Sequence, residues 1–143
     1  MLNAGRVGAA AESVGVAGGA FDMTTAYLKQ RKQFGQLIGE FQALQHRAAH
    51  LYSEVEIARA AVIKAQQLLD AGSEKADLMV SVAKAKAGKA AGLAVREGVQ
   101  MHGGIGMTDE YDIGLYMKRD RALAEFMGDL YYHADRVAKM SGY

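Results

Sequence analysis

The 143-residue chain has no cysteine, no proline and no tryptophan. Without cysteine there is no disulfide, no thiolate metal ligand and no cysteine nucleophile, and the composition fits a reducing compartment such as the cytoplasm. Without proline nothing forces a helix to kink, which favours long uninterrupted helices. Charge of one sign is also lacking: 17 basic and 16 acidic side chains leave a net charge of +1, so neither nucleic acid nor an anionic membrane surface is an expected partner. No apolar run approaches the roughly 18 residues that cross a bilayer. The Ala/Gly-rich start is interrupted by Glu12 and has no basic leader, so no signal peptide is read. What remains is half hydrophobic and 23% charged, the balance of an ordinary soluble domain. At this length one domain with a real core, residues 1–143, is expected.

Apolar and small residues recur at helical spacing. Val7, Ala11, Val14, Gly18, Phe21, Thr25 and Leu28 form a first stripe, which stops near Arg31. Gly35 and Gly39 bracket a loop. The cleanest stripe follows: Phe41, Leu44, Ala48, Leu51, Val55, Ala58, Val62, Ala65 and Leu69, with Gly72 as a stop and Ser73 as an N-cap. At 1.5 Å per residue this helix is about 45 Å long and suits an elongated bundle. A third helix is expected over about residues 74–101, with Leu78, Val82, Ala85, Gly92, Val95 and Val99 inward and Lys84, Lys86 and Lys89 in water. A short segment over about 111–118 and a last helix over about 121–140 complete the pattern, the latter burying Leu123, Phe126, Met127, Leu130, Ala134 and Val137. No strand-period alternation stands out. The fold class is therefore all-α, an up-down bundle of four to five helices. The first helix carries Gly8, Gly15, Gly18 and Gly19, each costing up to about 1 kcal/mol relative to alanine, so close packing against a neighbour is expected there.

Two breaks between helices hold the chemistry. Arg31-Lys32-Gln33-Phe34-Gly35 ends the first helix, and Gln100-Met101-His102-Gly103-Gly104-Ile105-Gly106 ends the third, beginning about 65 residues later. An arginine at a helix terminus can hold a pyrophosphate through charge-assisted hydrogen bonds, and a phenylalanine can pack on a flat ring. The same basic residues also suit a helix C-terminus favoured by the macrodipole. A glycine turn lets backbone approach a ligand, or simply turns the chain. It is not a dinucleotide fingerprint, because no strand precedes it.

In combination, Arg-x-x-Phe-Gly, then Phe41-Gln42 opening the next helix, then Gln-x-x-Gly-Gly-x-Gly-x-x-x-Glu-Tyr resemble the C-terminal helical domain of the acyl-CoA dehydrogenase family in order, spacing and context. The resemblance covers essentially the whole chain. It implies an enzyme with an N-terminal helical domain, a middle β domain and this bundle, of which only the bundle is expected here. It implies FAD held between the middle domain and the bundle, with a neighbouring subunit's bundle reaching the adenosine and pyrophosphate. Carried over, Arg31 and Gln33 contact the pyrophosphate region, Phe34, Phe41 and Gln42 lie near the adenine end, and Gln100, Gly103 and Gly104 line the same nucleotide. Arg6 matches a basic position at the substrate end of the first helix, and Phe126 and Gly128 flank the substrate. The implied reaction is α,β-dehydrogenation of an acyl-CoA thioester, in which a glutamate removes the α proton, the β hydride passes to the flavin, and electron-transfer flavoprotein collects the electrons. A homo- or hetero-tetramer is the implied assembly.

The base departs from that pattern. Gly128 aligns with the glycine after the family's usual glutamate, which places Met127 at the base position, and the alternative position used by some relatives falls on Gly5. Neither side chain accepts a proton. Glu125 is two helical steps away and so points elsewhere, and Asp129 stands where a threonine is common. The end of the chain resembles small or non-canonical subunits of bacterial heteromeric acyl-CoA dehydrogenases, such as the pimeloyl-CoA dehydrogenase small subunit. Activity of the isolated chain is therefore not expected, and a non-catalytic assembly subunit is the rival reading. An unrelated helical bundle is a further one. His46, His50 and Glu54 recur on one helix face, a spacing that can bind a metal, but without a Glu-x-x-His partner they read as a solvated face and no metal site is expected.

Overall fold

The computed structural model describes residues 1–143. Five α-helices form a bundle: α1 (Leu2–Leu28), α2 (Gln42–Asp70), α3 (Ala76–His102), α4 (Ile113–Glu125) and α5 (Leu130–Met140). Between α1 and α2 the chain forms a small hairpin, β1 (Lys32–Gln33) against β2 (Gln36–Leu37), paired antiparallel with Gln33 opposite Gln36. This hairpin escaped the sequence pattern because two-residue strands carry no alternation to read. No helix is long and apolar enough to cross a membrane.

Helix α3 is the axis of the fold and packs against all four other helices. Alanine is the commonest of its buried residues: Ala83, Ala87, Ala91 and Ala94 are fully inaccessible. They face Ala10, Ala17 and Ala20 of α1, which are equally buried, and side chains this small let the helix axes approach closely. The inward face expected for α3 is therefore corrected. Of the expected face Val95 is buried, but Leu78, Val82, Ala85, Gly92 and Val99 are only half-buried, while Val80, Ala83, Ala87 and Ala94 lead into the core. A helix surrounded on several sides has no single stripe, so hydrophobicity alone picked mostly the wrong set. For α2, which has one wet face, the stripe was right: Leu51, Val55, Ala58, Val62 and Ala65 are all buried.

Gly72 ends α2 with φ +62°, a left-handed stop suited to glycine. Ser73 Oγ accepts from the Lys75 N–H at 3.2 Å, but the helix begins at Ala76, so Ser73 closes the turn and does not cap α3. Of the α1 glycines, Gly19 has Tyr116 packed onto it and Gly18 faces the Arg59 guanidinium at 3.6 Å. Gly8 and Gly15 have nothing within 4 Å, so within this chain close packing does not account for them.

The end of the chain differs most from expectation. The single helix over 121–140 is two helices, and the short segment before it belongs to the first of them. Phe126 is extended, Met127 has φ 64° and Gly128 has φ 103°. Phe126 and Leu130 are exposed, and the residues that do go into the core are Leu123 and His133. The break has a buried cause. Lys84, expected in water, is 2% exposed and donates from Nζ to the carbonyls of Leu123 at 3.0 Å and Gly128 at 3.1 Å. It satisfies the Leu123 carbonyl, which the end of α4 leaves open, and the Gly128 carbonyl of the loop that follows.

Candidate functional site

The helix break after α1 and the glycine turn after α3 meet at one end of the bundle. The hairpin is closed by the Ile38 N–H donating to the Arg31 carbonyl at 2.9 Å. It turns through Phe34 at φ 54° and Gly35 at φ 81°. Left-handed geometry costs a phenylalanine about 1 kcal/mol or more, and here it projects the ring into solvent, 90% exposed. Phe41, which precedes α2, stands edge-on to it with centroids 6.2 Å apart. Gln33, Phe34, Phe41, Gln100 and Gly103 together line a cleft of about 230 Å³. No side chain covers Gly103 or Gly104. Arg31, Gln42 and Gly104 are exposed but outside the cleft lining, and neither Arg31 nor Lys32 has an acidic partner. Two aromatic rings, side-chain amides and bare glycine backbone in the cleft, with unpaired cations on the adjoining hairpin, are groups that suit a nucleotide.

The cleft is also lined by residues not predicted for the site: the apolar Ile38, Leu44 and Met101, Arg47, which is paired with Glu97, and the two rings of Tyr27 and His102. His102 is 4% exposed and stacks on Tyr27 at 4.4 Å. Its Nδ1 lies 2.7 Å from the Gly98 carbonyl, which can only accept, so Nδ1 carries a proton, and the buried Nε2 has no partner. The available signal was its place directly before the glycines, on a helix face that turns inward.

The loop carrying Met127 lies at the other end of α1. An ideal Cβ built on Gly5 would be 2.7 Å from the Met127 methyl and 3.5 Å from its sulfur. The two positions at which a base was sought therefore converge on one point, and the side chain present there is a thioether. Several contacts hold the loop. Lys84 ties it to α4, the His133 Nε2–H donates to the Met127 carbonyl at 3.0 Å, and Asp129 caps α5 by accepting from the Tyr132 N–H at 2.7 Å. Asp129 is thus occupied as a cap, and Glu125 is exposed on the α3–α4 side, lining a pocket with Lys84, Asp120 and Arg121. Burial pushes the His133 imidazole below its ordinary range, the Met127 carbonyl opposes that, and Lys84, Arg6 and Arg136 push it further down. Burial also lowers the Lys84 ammonium, opposed by Asp129, Asp120 and Glu125. The spacing Asp129-x-x-x-His133 was the missed signal: a cap and an anchor one helical turn apart.

Arg6 is buried, donating to Asn3 Oδ1 at 3.2 Å and to the Tyr132 hydroxyl at 3.1 Å. Phe126 is exposed, and Gly128 has no room for a side chain because Tyr132 and His133 press on it. His46 and His50 are exposed, and the Glu54 carboxylate accepts from Lys86 at 3.3 Å. No three His, Asp or Glu side chains converge as a metal site.

Comparison with known proteins agrees with this geometry. Residues 1–141 match the family model for the acyl-CoA dehydrogenase C-terminal domain. The chain is 38% identical over 138 residues to the mitochondrial short/branched chain specific acyl-CoA dehydrogenase of Bos taurus, covering 96% of this chain and 32% of that protein. It is 38% identical over 112 residues to the CarC subunit of the caffeyl-CoA reductase-Etf complex of Acetobacterium woodii, covering 78% of this chain and 29% of that protein. Among solved structures, the Tcur3481-Tcur3483 steroid acyl-CoA dehydrogenase superposes with a TM-score of 0.93 at 32% identity, covering 98% of this chain and 38% of that one. The chain spans about a third of the length of these relatives. A match over nearly all of its residues, in sequence and in fold, makes this chain a member of the acyl-CoA dehydrogenase family, corresponding to its C-terminal helical domain.

Proposed function

We propose that this chain serves FAD-dependent α,β-dehydrogenation of an acyl-CoA thioester as the helical bundle of a larger assembly, and that it does not turn over substrate alone. The observation that carries the reading is the meeting of the hairpin after α1 and the glycine turn after α3 in one cleft. Members of the family are FAD-dependent. The residues present suit that group: Arg31 and Gln33 for the pyrophosphate, Phe34, Phe41 and Gln42 towards the adenine, and Gln100, Gly103 and Gly104 along the same nucleotide. The buried His102 Nε2 adds an unpartnered ring nitrogen at the same place. Bound FAD supplies the acceptor for the β hydride.

Geometry separates this cleft from the base position. Gly5 and Tyr27 are 22 residues apart on α1, which is about 33 Å at 1.5 Å per residue. As the family resemblance implies, the cleft serves a flavin whose reacting ring belongs to another subunit, while the base position faces this subunit's own substrate. Such a chain can support a partner's active site while its own lacks a carboxylate. The Etf-linked and two-component names among the relatives agree with an assembly of this kind, in which electron-transfer flavoprotein is the proposed electron acceptor.

A second reading follows from one observation, the Met127 thioether packed on Gly5. On that reading the subunit is not catalytic and only completes a partner's site. Met127→Glu in the complete, assembled protein separates the two. If turnover appears only with the glutamate, the natural subunit is a scaffold. If the natural protein already oxidises acyl-CoA at this subunit's own site, a carboxylate reaches the site from elsewhere in the assembly. FAD counted per subunit by native mass spectrometry tests the cleft itself, and an assembly that keeps its full flavin content after Arg31→Ala and Gln100→Ala would refute the nucleotide assignment.

A further inference from the structure

Arg6 is 8% exposed, yet its guanidinium has only neutral partners, Asn3 and Tyr132. Its Nε is buried without any partner. The Tyr132 ring, 5.8 Å from Cζ, adds a cation–π contact. Taking an ion out of water costs more than such a contact returns, so it does not compensate the charge. The other cations of the region are treated differently. Arg136 donates to Asp77 and to Ser81. Lys84 donates to two carbonyls and lies in the field of Asp129, Asp120 and Glu125. Arg6 takes part in none of the ion pairs.

Its position gives the missing charge a place. Arg6 follows Gly5, which meets the Met127 side chain, and the ring under its guanidinium presses on Gly128. An open surface groove bordered by Met1, Leu2, Asn3, Asp77, Tyr132 and Arg136 lies beside it, and the one acid there is held by Arg136. Buried charges are ordinarily paired, and a guanidinium fork matches a carboxylate in shape and charge. We propose that Arg6 is the cationic wall of a carboxylate-binding site beside Met127, filled in the assembled protein by a carboxylate that this chain does not supply. The inference rests on the reading of Met127 as the base position. Two sources carry the same chemistry: the far carboxylate of a dicarboxylic acyl thioester, or an acidic side chain from elsewhere in the assembly.

The first test is a glutarate titration of the full chain at constant ionic strength, with chloride as control, following the Arg6 Nε–H resonance by NMR. A saturable shift with glutarate and none with chloride is expected. Arg6→Gln should weaken glutarate binding about tenfold, the loss of one charge-assisted contact, and Arg6→Lys should weaken it less. The wild-type resonance carries the result even if a variant fails to fold. A resonance that glutarate leaves unmoved overturns the proposal. In the complete protein, a carboxyl-terminated thioester and an alkyl thioester of equal length then compete. About tenfold preference for the former assigns the carboxylate to the substrate, whereas equal binding alongside the glutarate shift assigns it to a side chain. Failure of the base-position reading is separate: Met127→Glu would then bring no activity while the glutarate shift persists.

Discussion

Two loops of this bundle share one backbone device and use it in opposite ways. Phe34-Gly35 and Met127-Gly128 each place a non-glycine residue in the left-handed region immediately before a glycine with positive φ, and Phe34 and Met127 are the only non-glycine residues with positive φ. At the first loop the strained ring stands 90% exposed, and no side chain lies within 4 Å of a Cβ built on Gly35. At the second the loop is held by Lys84, His133 and the Asp129 cap, and Gly128 is hemmed in by Tyr132 and His133. One loop stands open to solvent, and the other is held by contacts within the chain. On the function proposed above, the first loop would grip a nucleotide across a subunit boundary, and the second would set the base position from the subunit's own core. It also shows that strain alone does not name a function, because what surrounds the strained residue decides what it can do.

The sharpest way to break the comparison is at Lys84. Lys84→Met removes the ammonium that bridges Leu123 and Gly128 and leaves two buried carbonyls short of a donor, at a cost of about 2–4 kcal/mol in urea unfolding. A loss under about 1 kcal/mol would show that the second loop is not held from within. Next come the two glycines. Gly128→Ala meets Tyr132 and His133 as well as φ 103°, and should cost about 2–3 kcal/mol, whereas Gly35→Ala meets open space at φ 81° and should cost about 1 kcal/mol. Equal penalties would remove the contrast. The smallest effect is in pH. His133 titrates lower in the folded than in the unfolded chain, where the usual value is about 6.5. The unfolded state then binds more protons below that value, so stability falls as pH drops from about 6.5 towards the folded pKa and levels off below it. His133→Gln can still donate to the Met127 carbonyl but does not titrate. Its urea midpoint should lose that acid-side slope, while His50→Gln, on an exposed face, should retain it.

How much was legible beforehand varies with what surrounds each element. The α2 stripe was readable because one face of that helix is wet, so residue type reports burial directly. The α3 face was not, because four neighbours cover that helix and alanine carries little hydrophobic signal. At the cleft, Gln33, Phe34, Phe41, Gln100 and Gly103 could be named from the order and spacing of two motifs, whereas Tyr27 and His102 depend on which way α1 and α3 face each other. The break at Met127 was hidden because its main clamp, Lys84, lies more than 40 residues earlier and looked like a surface lysine.

By itself the sequence determined the helical class, the order of the long helices, the two motifs at their breaks and the absence of a carboxylate at Met127 and Gly5, since each of these is a matter of local pattern or residue identity. Only the tertiary structure decided that the two motifs share a cleft, that Gly5 and Met127 occupy one point, that Lys84 is buried and that Arg6 is a charge without a counter-charge. These are properties of pairs distant in the chain, and the free energy of a buried charge or a close contact is set by neighbours that no local window contains.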